Sequence, residues 1–262
     1  MGFSEAYLHL AASAAPRRAA LSILGAVLLL VPLVCHSQAD YARERRWAGE
    51  IAPAIVVGET LYLELKSGRR FLAIYAPHPK ATAGVIVVHG MGVHPDWGLI
   101  NPLRSRLSEQ GYSTLSVQMP VLAADAPGDQ YPPLFPEAAE RLGAAVAFLR
   151  GKGLPKIAVV SHSMGARMTN YYLNAIPDHG IAAWVAIGLS GTYPDPATIG
   201  VPVLHVFGEK EDLAENAERR AAVLRGLRGS AQIEVPGADH FFAGRETELT
   251  RQVRVFLDLR LK

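Results

Sequence analysis

The stretch Ile157-Ala158-Val159-Val160-Ser161-His162-Ser163-Met164-Gly165 joins four apolar residues to a turn of small residues around a central serine. A buried strand that enters such a turn and continues into a helix holds the serine hydroxyl clear of the backbone, at the amino end of the helix. The turn is tight, so the residues two positions before and after the serine must be small. We therefore interpret Ser163 as a candidate nucleophile. An ordinary strand-turn-helix with two incidental serines is the alternative.

Apolar runs alternate with helical patterns on both sides of this turn, which predicts a parallel sheet covered on both faces. A hairpin is predicted before them, with strands over 61–65 and 71–75. The fold class is therefore α/β, a doubly wound and mostly parallel sheet with an N-terminal antiparallel hairpin. The stretch 188–200 is too short for a large inserted lid. The further predicted strands cover 85–88, 113–119, 156–160, 182–187, 202–207 and 231–235, and the predicted helices cover 101–110, 136–150, 165–176, 214–226 and 246–259.

The composition is that of a globular protein. Half of the 262 residues are hydrophobic, 19% are charged, and the formal net charge is +2. No long basic run occurs, so nothing indicates a nucleic-acid partner. No His-Glu-x-x-His pattern occurs, and Asp125 and Asp129 have no histidine or third acid spaced with them, so no metal site is predicted.

The first 39 residues have the layout of a secretory signal peptide. Arg17-Arg18 precede the apolar stretch 19–34, and Ser37-Gln38-Ala39 places small residues where a signal peptidase reads them. The apolar stretch is shorter than the ~20 residues that cross a bilayer, so an uncleaved membrane anchor is the less favoured alternative. We expect an exported protein, periplasmic or secreted, with no stable membrane span once 1–39 is removed. Residues 40–60 are expected to form a loosely packed lead-in to a folded domain over 61–262.

Loops after two predicted strands offer the partners that a serine nucleophile needs. His240 follows the strand over 231–235 and is the candidate general base. The loop after 202–207 contains Glu209, Glu211 and Asp212, and spacing does not choose cleanly among them. Asp212 is the preferred acid and Glu211 the alternative. Asp195, in the loop after 182–187, is a weaker alternative.

Backbone amides at two places can stabilise an oxyanion. Met164 follows the candidate nucleophile and opens a helix, whose first amides are unpaired and favour negative charge. The sequence His89-Gly90-Met91-Gly92 follows a predicted strand, and its glycines allow close approach to a bound carbonyl. Either Met91 or Gly92 would supply the second amide. His89 is interpreted as a residue that organises this loop.

Ser163, an acid near 212 and His240, in this chain order and with the glycine-rich loop upstream, resemble the alpha/beta-hydrolase superfamily. The resemblance covers about residues 60–262, and the stretches 89–97 and 111–120 resemble an exported bacterial subfamily of largely unknown function. It implies hydrolysis of an ester, thioester or amide through an acyl-enzyme, without a metal or organic cofactor. Ser161 departs from the superfamily's usual Gly-x-Ser-x-Gly pattern.

We therefore expect an exported serine hydrolase that cleaves carboxylic esters, with thioesters as a further option. The substrate would be a small-molecule or lipid-like ester, and Trp97 and Tyr193 are candidate wall residues of its site. A catalytically silent binding or envelope-assembly protein is the alternative from another class. Transfer of the acyl group to an alcohol or amine is a third option. The sequence does not indicate an oligomeric state.

Overall fold

A computed structural model describes residues 38–191, 193, 196–211 and 216–262. Eight strands in these residues form one open sheet in the order β1-β2-β4-β3-β5-β6-β7-β8. The pairs β1–β2 and β2–β4 are antiparallel, and the remaining pairs are parallel. The predicted fold class is therefore confirmed. The strands are β1 (Glu59–Glu64), β2 (Arg70–Ala76), β3 (Ala83–Val88), β4 (Ser113–Val117), β5 (Lys156–His162), β6 (Ala183–Ile187), β7 (Val203–Gly208) and β8 (Ala231–Val235).

Helices cover both faces of the sheet and create two hydrophobic cores. In β3, Val85 and Val87 face one core while Ile86 and Val88 face the other, because side chains alternate along a strand. The first core packs α2 and α7 against the sheet, and the second packs α3 and α4. The helices in the described residues are α1 (Tyr41–Ile51), α2 (Ile100–Glu109), α3 (Phe135–Gly151), α4 (Met164–Ala175), α5 (Pro196–Ile199), α6 (Ala217–Arg225) and α7 (Glu246–Leu261).

The connections at the carboxyl edge of the sheet are the part of the fold that positions a site. The turns after β3, β5, β7 and β8 all open at this edge, because parallel strands end on the same side. The connection from Ile187 to Val203 contains the four-residue helix α5 and has no room for an inserted lid domain. This connection therefore does not place a lid domain over the edge.

The segment 40–60 differs from the loosely packed lead-in that the sequence predicted. The side chain of Asp40 accepts a hydrogen bond from the amide of Arg43 at 2.9 Å and so caps α1. Glu44 is buried and meets Arg141 of α3 through two hydrogen bonds of 2.9 and 3.1 Å. The prediction failed because α1 is polar and docks through charged groups instead of an apolar stripe.

The predicted signal peptide falls almost entirely on residues 1–37, which lie outside the described residues. Within the described residues, no helix has the length and apolar character needed to cross a membrane.

Candidate active site

Ser163 occupies a strained turn between β5 and α4. Its backbone has φ of 55° and ψ of −120°, a conformation that non-glycine residues rarely adopt and that is found at functional sites. The Ser163 amide donates to the carbonyl of Ile187 at 2.9 Å, which ties the turn to the neighbouring strand β6. A side chain at Gly165 would come within 2.3 Å of the His89 carbonyl oxygen. The small residue that the sequence places there is therefore required.

Ser161, the departure from the usual glycine, has a structural function of its own. It is buried, and its hydroxyl accepts a hydrogen bond of 2.8 Å from the indole of Trp184. It also donates to the carbonyl of Val185 at 3.4 Å. The hydroxymethyl group is accommodated through these two hydrogen bonds, both with residues of the neighbouring strand β6.

His240 joins the candidate nucleophile to an acid. Its Nε2 lies 2.9 Å from the Ser163 Oγ, and its Nδ1 lies 2.6 Å from Oε2 of Glu211. A carboxylate only accepts hydrogen bonds, so Nδ1 carries the proton and Nε2 is free to accept from the serine hydroxyl. The preferred acid, Asp212, lies outside the described residues, and the alternative, Glu211, makes the contact.

Hydrogen bonds to the backbone of Gly208 orient the side chain of Glu211 towards His240. Its side chain is almost fully buried, and Oε1 accepts a hydrogen bond of 2.8 Å from the amide of Gly208 at the end of β7. The Glu211 amide in turn donates to the Gly208 carbonyl at 3.0 Å. This compact turn aims one carboxylate oxygen at the backbone and the other at His240.

Gly188, which the sequence analysis did not single out, allows these groups to approach. It follows β6 with φ of +58°, and a side chain there would lie 2.9 Å from Cε1 of His240 and 3.1 Å from Oε2 of Glu211. Any larger residue would push the imidazole and the carboxylate apart. A glycine directly after a buried strand at this edge was the signal that could have revealed it.

A hydrogen bond from His162 holds the loop that carries His240. The Nε2 of His162 donates to the carbonyl oxygen of His240 at 2.9 Å, and the two rings lie 4.7 Å apart. Burial and the neighbouring His240 lower the pKa of His162 to about 4. His162 is therefore neutral near pH 7 and acts as a hydrogen-bond donor without adding charge beside His240 and Glu211.

His89 organises the glycine-rich loop after β3, as its position in the sequence predicts. Its buried ring accepts from the amide of Met119 at Nε2 (2.8 Å) and donates to the carbonyl of Gly90 at Nδ1 (2.8 Å). Burial lowers the pKa of His89 to about 3. A side chain at Gly90 would stand 3.3 Å from Cβ of Ser163. The loop thus passes directly over the nucleophile.

The residues predicted to supply oxyanion amides lie around this loop. Met91 and Gly92 follow Gly90, and Met164 begins α4 beside Ser163. A side chain at Gly128 would lie 3.5 Å from both Sδ of Met91 and Cε of Met164. The two methionines therefore meet at the same place, under the loop that connects β4 to α3.

A small apolar cavity of about 150 Å³ opens above Ser163. Trp97 and Phe241 meet edge to face across its rim, with ring centres 5.5 Å apart. Tyr193 does not reach this cavity, because it is buried against Trp184 in the core. A larger groove of about 740 Å³ runs along α3 and contains none of the catalytic candidates. The cavity is lined by Gly90, Met91, Val93, Trp97, His162, Ser163, His240 and Phe241.

No group of three side chains that could hold a metal ion occurs in the part of the chain that the structure describes. The site brings together a hydroxyl, an imidazole and a carboxylate. Such a set can activate an alcohol for attack on a carbonyl carbon without further groups.

Solved structures with a similar fold are hydrolases. Dienelactone hydrolase from Anabaena variabilis is 18% identical, with a TM-score of 0.63 over 78% of this chain and 97% of its own. Est1E from Butyrivibrio proteoclasticus is 16% identical, with a TM-score of 0.61 over 76% and 97%. XC6422 from Xanthomonas campestris, described as a serine hydrolase without lid, is 16% identical, with a TM-score of 0.59 over 78% and 95%. The chain has the α/β-hydrolase fold.

Sequence comparison adds a match to one family. Residues 61–138 match the family described as "Protein of unknown function (DUF3530)". The matched part includes the glycine-rich loop after β3 and ends before Ser163. No curated protein matches the chain.

Proposed function

We propose that this protein is an exported serine hydrolase that cleaves carboxylic esters through an acyl-enzyme. The observation that carries the proposal is the unbroken chain of hydrogen bonds from Ser163 through His240 to Glu211, at 2.9 and 2.6 Å. The strained backbone of Ser163 supports it, because such strain persists where a function requires it. Export rests on the signal-peptide pattern of residues 1–39.

In the acylation step, Nε2 of His240 takes the hydroxyl proton of Ser163 while Oγ bonds to the carbonyl carbon of the ester. The carbonyl electron pair moves onto oxygen, and the amides of Met164 and of Met91 or Gly92 stabilise this oxyanion. When the carbonyl re-forms, the bond to the alcohol breaks, and His240 returns the proton to the departing oxygen.

Deacylation repeats these movements with water. His240 accepts a proton from a water molecule as the water oxygen bonds to the acyl carbon. Collapse of the second intermediate breaks the bond to Ser163, whose Oγ regains the proton. Glu211 remains ionised throughout, holds the imidazole in one tautomer and stabilises its charged form. A thioester would follow the same course with a thiol as the departing group.

The cavity favours esters with a short or flat acyl group. Its volume of about 150 Å³ lies well below the ~300–1,000 Å³ of sites that enclose a drug-sized ligand. Val93, Trp97 and Phe241 present apolar surface there. The site therefore selects a neutral acyl group, and a long lipid-like chain would project into solvent. Est1E, which shares the fold, has a structure with ferulic acid bound. Esters of aryl acids therefore belong in a substrate panel.

Labelling with a fluorophosphonate probe tests the proposal, together with hydrolysis of p-nitrophenyl esters. Purified protein should be labelled at Ser163 alone, and Ser163→Ala should lose labelling and hydrolysis. Ser67→Ala, in the exposed hairpin turn, is the matched control and should behave as the unsubstituted protein. If folded protein were neither labelled nor hydrolytic, the proposal would be wrong, and a silent binding protein would replace it.

A further inference from the structure

Arg43 of α1 connects the N-terminal helix to the edge of the active site. Its Nη2 donates to the carbonyl oxygen of Gly92 at 2.9 Å, and its Nη1 donates to the carbonyl oxygen of Leu122 at 2.9 Å. Gly92 belongs to the loop that passes over Ser163, and Leu122 to the loop between β4 and α3. One planar guanidinium group therefore bridges both loops, a geometry that the fork of arginine suits.

The guanidinium is itself held on the helix. Arg43 lies over the ring of Trp47, one turn along α1, at 4.5 Å from the ring centre. Trp47 packs edge-on against His94, with ring centres 5.7 Å apart. The helix is anchored to α3 by the buried Glu44–Arg141 pair. Arg43 thus extends from a rigid base, and its two hydrogen bonds cost little ordering when they form.

Gly92 is the residue at which the backbone of the glycine-rich loop 89–92, called the oxyanion loop below, most needs such a restraint. It has φ of +66°, and without a side chain its neighbouring peptide planes can rotate with little steric resistance. The amides of Met91 and Gly92 are the candidate oxyanion donors, and their directions depend on those planes. A charge-assisted hydrogen bond to the Gly92 carbonyl fixes the plane that follows and limits rotation of the one before.

The second hydrogen bond of Arg43, to the Leu122 carbonyl, restrains the loop between β4 and α3. The Leu122 amide donates to the hydroxyl of Tyr131 at 3.3 Å within the same loop. Gly128 of that loop packs beside the side chains of Met91 and Met164. Holding Leu122 therefore keeps this loop against the two methionines whose amides are proposed to bind the oxyanion.

We infer that Arg43 is a positioning residue for the oxyanion hole, and that α1 is part of the catalytic apparatus although it lies outside the segment that matches a known family. The inference rests on the proposed serine-hydrolase function. Arg43 does not touch the substrate. It acts by holding the Gly92 carbonyl, and through it the amides beside Ser163.

Loss of this restraint should lower turnover more than substrate binding. An oxyanion donor acts mainly in the transition state, and losing one costs about 10²–10³-fold in kcat. A displaced donor is only partly lost, so Arg43→Gln should reduce kcat by about 10–100-fold, with KM changed less than about threefold. Arg43→Lys can reach one carbonyl at a time and should fall between Arg43→Gln and the unsubstituted protein.

The experiment compares kcat and KM for p-nitrophenyl acetate in Arg43→Gln, Arg43→Lys and Arg43→Ala, with melting temperatures measured in parallel. Arg46→Gln is the matched control, because Arg46 lies on the same helix, is exposed, and meets Glu50 at only 3.9 Å. Guanidinium chloride at low millimolar concentration should restore part of kcat in Arg43→Ala and leave Arg46→Gln unchanged. A merely structural arginine would not show such rescue.

The outcomes separate this inference from the function on which it rests. Hydrolysis by the unsubstituted protein, together with an unchanged kcat in folded Arg43→Gln, would overturn the inference and leave the function intact. If Arg43→Gln failed to fold, a folded Arg43→Lys with full kcat would overturn it equally. A change in KM alone would do the same. No hydrolysis by the unsubstituted protein would refute the proposed function, and this inference with it.

Discussion

The two sides of the active site are held together in different ways. Ser163, Glu211 and His240 each lie within five residues of the end of a parallel strand, so the sheet itself brings them to one edge. The glycine-rich loop also follows a parallel strand, β3, but charged side chains from helices hold its course beyond Gly90. Arg43 holds its Gly92 carbonyl, and buried Arg104 holds Asp96 further along the loop at 2.6 Å. Sheet topology brings the triad candidates together, whereas charged contacts from α1 and α2 also shape the loop opposite them.

The histidines of the two sides show the same difference. His240 is partly exposed and has a carboxylate on one nitrogen and a hydroxyl on the other. His89 is fully buried and bonds mainly to the backbone, and its burial lowers its pKa and so keeps it neutral. The first environment suits a base that accepts and returns a proton, and the second suits a fixed spacer.

The largest effect should come from the base on the triad side. His240→Gln should reduce kcat by about 10⁴-fold or more, because proton transfer from Ser163 and to the departing alcohol is lost. Steady-state hydrolysis of p-nitrophenyl acetate measures this, with His78→Gln as a control remote from the site. Activity within tenfold of the unsubstituted protein would contradict the assignment of His240.

The second largest effect should come from replacing the triad acid. This replacement also shows whether Glu211 or Asp212 is that acid. Glu211→Gln should lower kcat by about 10²–10⁴-fold, because an amide no longer stabilises the charged imidazole or enforces its tautomer. Asp212→Asn should change kcat by less than about fivefold. Parallel kinetics on the two variants give the ranking. The reverse order would show that Asp212, the residue preferred from the sequence, is the acid.

The buried histidines should make the stability of the fold depend on pH. Burial is the main cause of the lowered pKa values of His89 (about 3), His162 (about 4) and His205 (about 4). Below the unfolded value of 6.5 the unfolded chain therefore binds more protons than the native protein. The free energy of unfolding should fall as pH drops from about 6.5 towards 4, by up to about 1.4 kcal/mol per pH unit for each histidine.

Urea unfolding at pH 7, 6 and 5 measures this dependence. In His205→Asn, which removes a titrating group on β7, two strands away from β5, the curve of stability against pH should be flatter. An identical slope in the variant would show that His205 does not contribute.

The smallest effect should come from replacing Trp97 at the rim of the cavity, and it should appear as a change in acyl-chain preference. Trp97→Ala removes one wall of the cavity and its contact with Phe241. Longer acyl groups should then be accepted better, and the ratio of kcat/KM for octanoate to acetate esters should rise by about 10-fold, the scale of one or two methylene contacts. Tyr62→Ala, an exposed aromatic residue of β1 outside the cavity lining, serves as the control. An unchanged ratio would mean that Trp97 does not limit the acyl group.

Much of the fold could be predicted from local patterns. Continuous apolar runs marked the parallel strands, and Ser163 and His240 followed two of them, where the structure brings their side chains together. Spacing did not decide between Glu211 and Asp212, because the two are adjacent in the chain. In the structure, a hydrogen bond from the Gly208 amide orients the Glu211 carboxylate, which contacts His240. Tyr193 was predicted to line the site but packs against Trp184 in the core, because an aromatic residue near a site can be buried as readily as line a cavity.

Local sequence is enough to specify the strands, the helices and the tight turn at Ser163, since hydrophobic periodicity and small residues act over a few neighbours. It is not enough to show that α1 docks against the site. Arg43 reaches Gly92 and Leu122, and Glu44 reaches Arg141, across separations of 49 to 97 residues. Contacts between polar groups so far apart leave no periodic trace in the chain. Only the folded structure decides which charges meet, because their pairing depends on where the sheet and its helices place them.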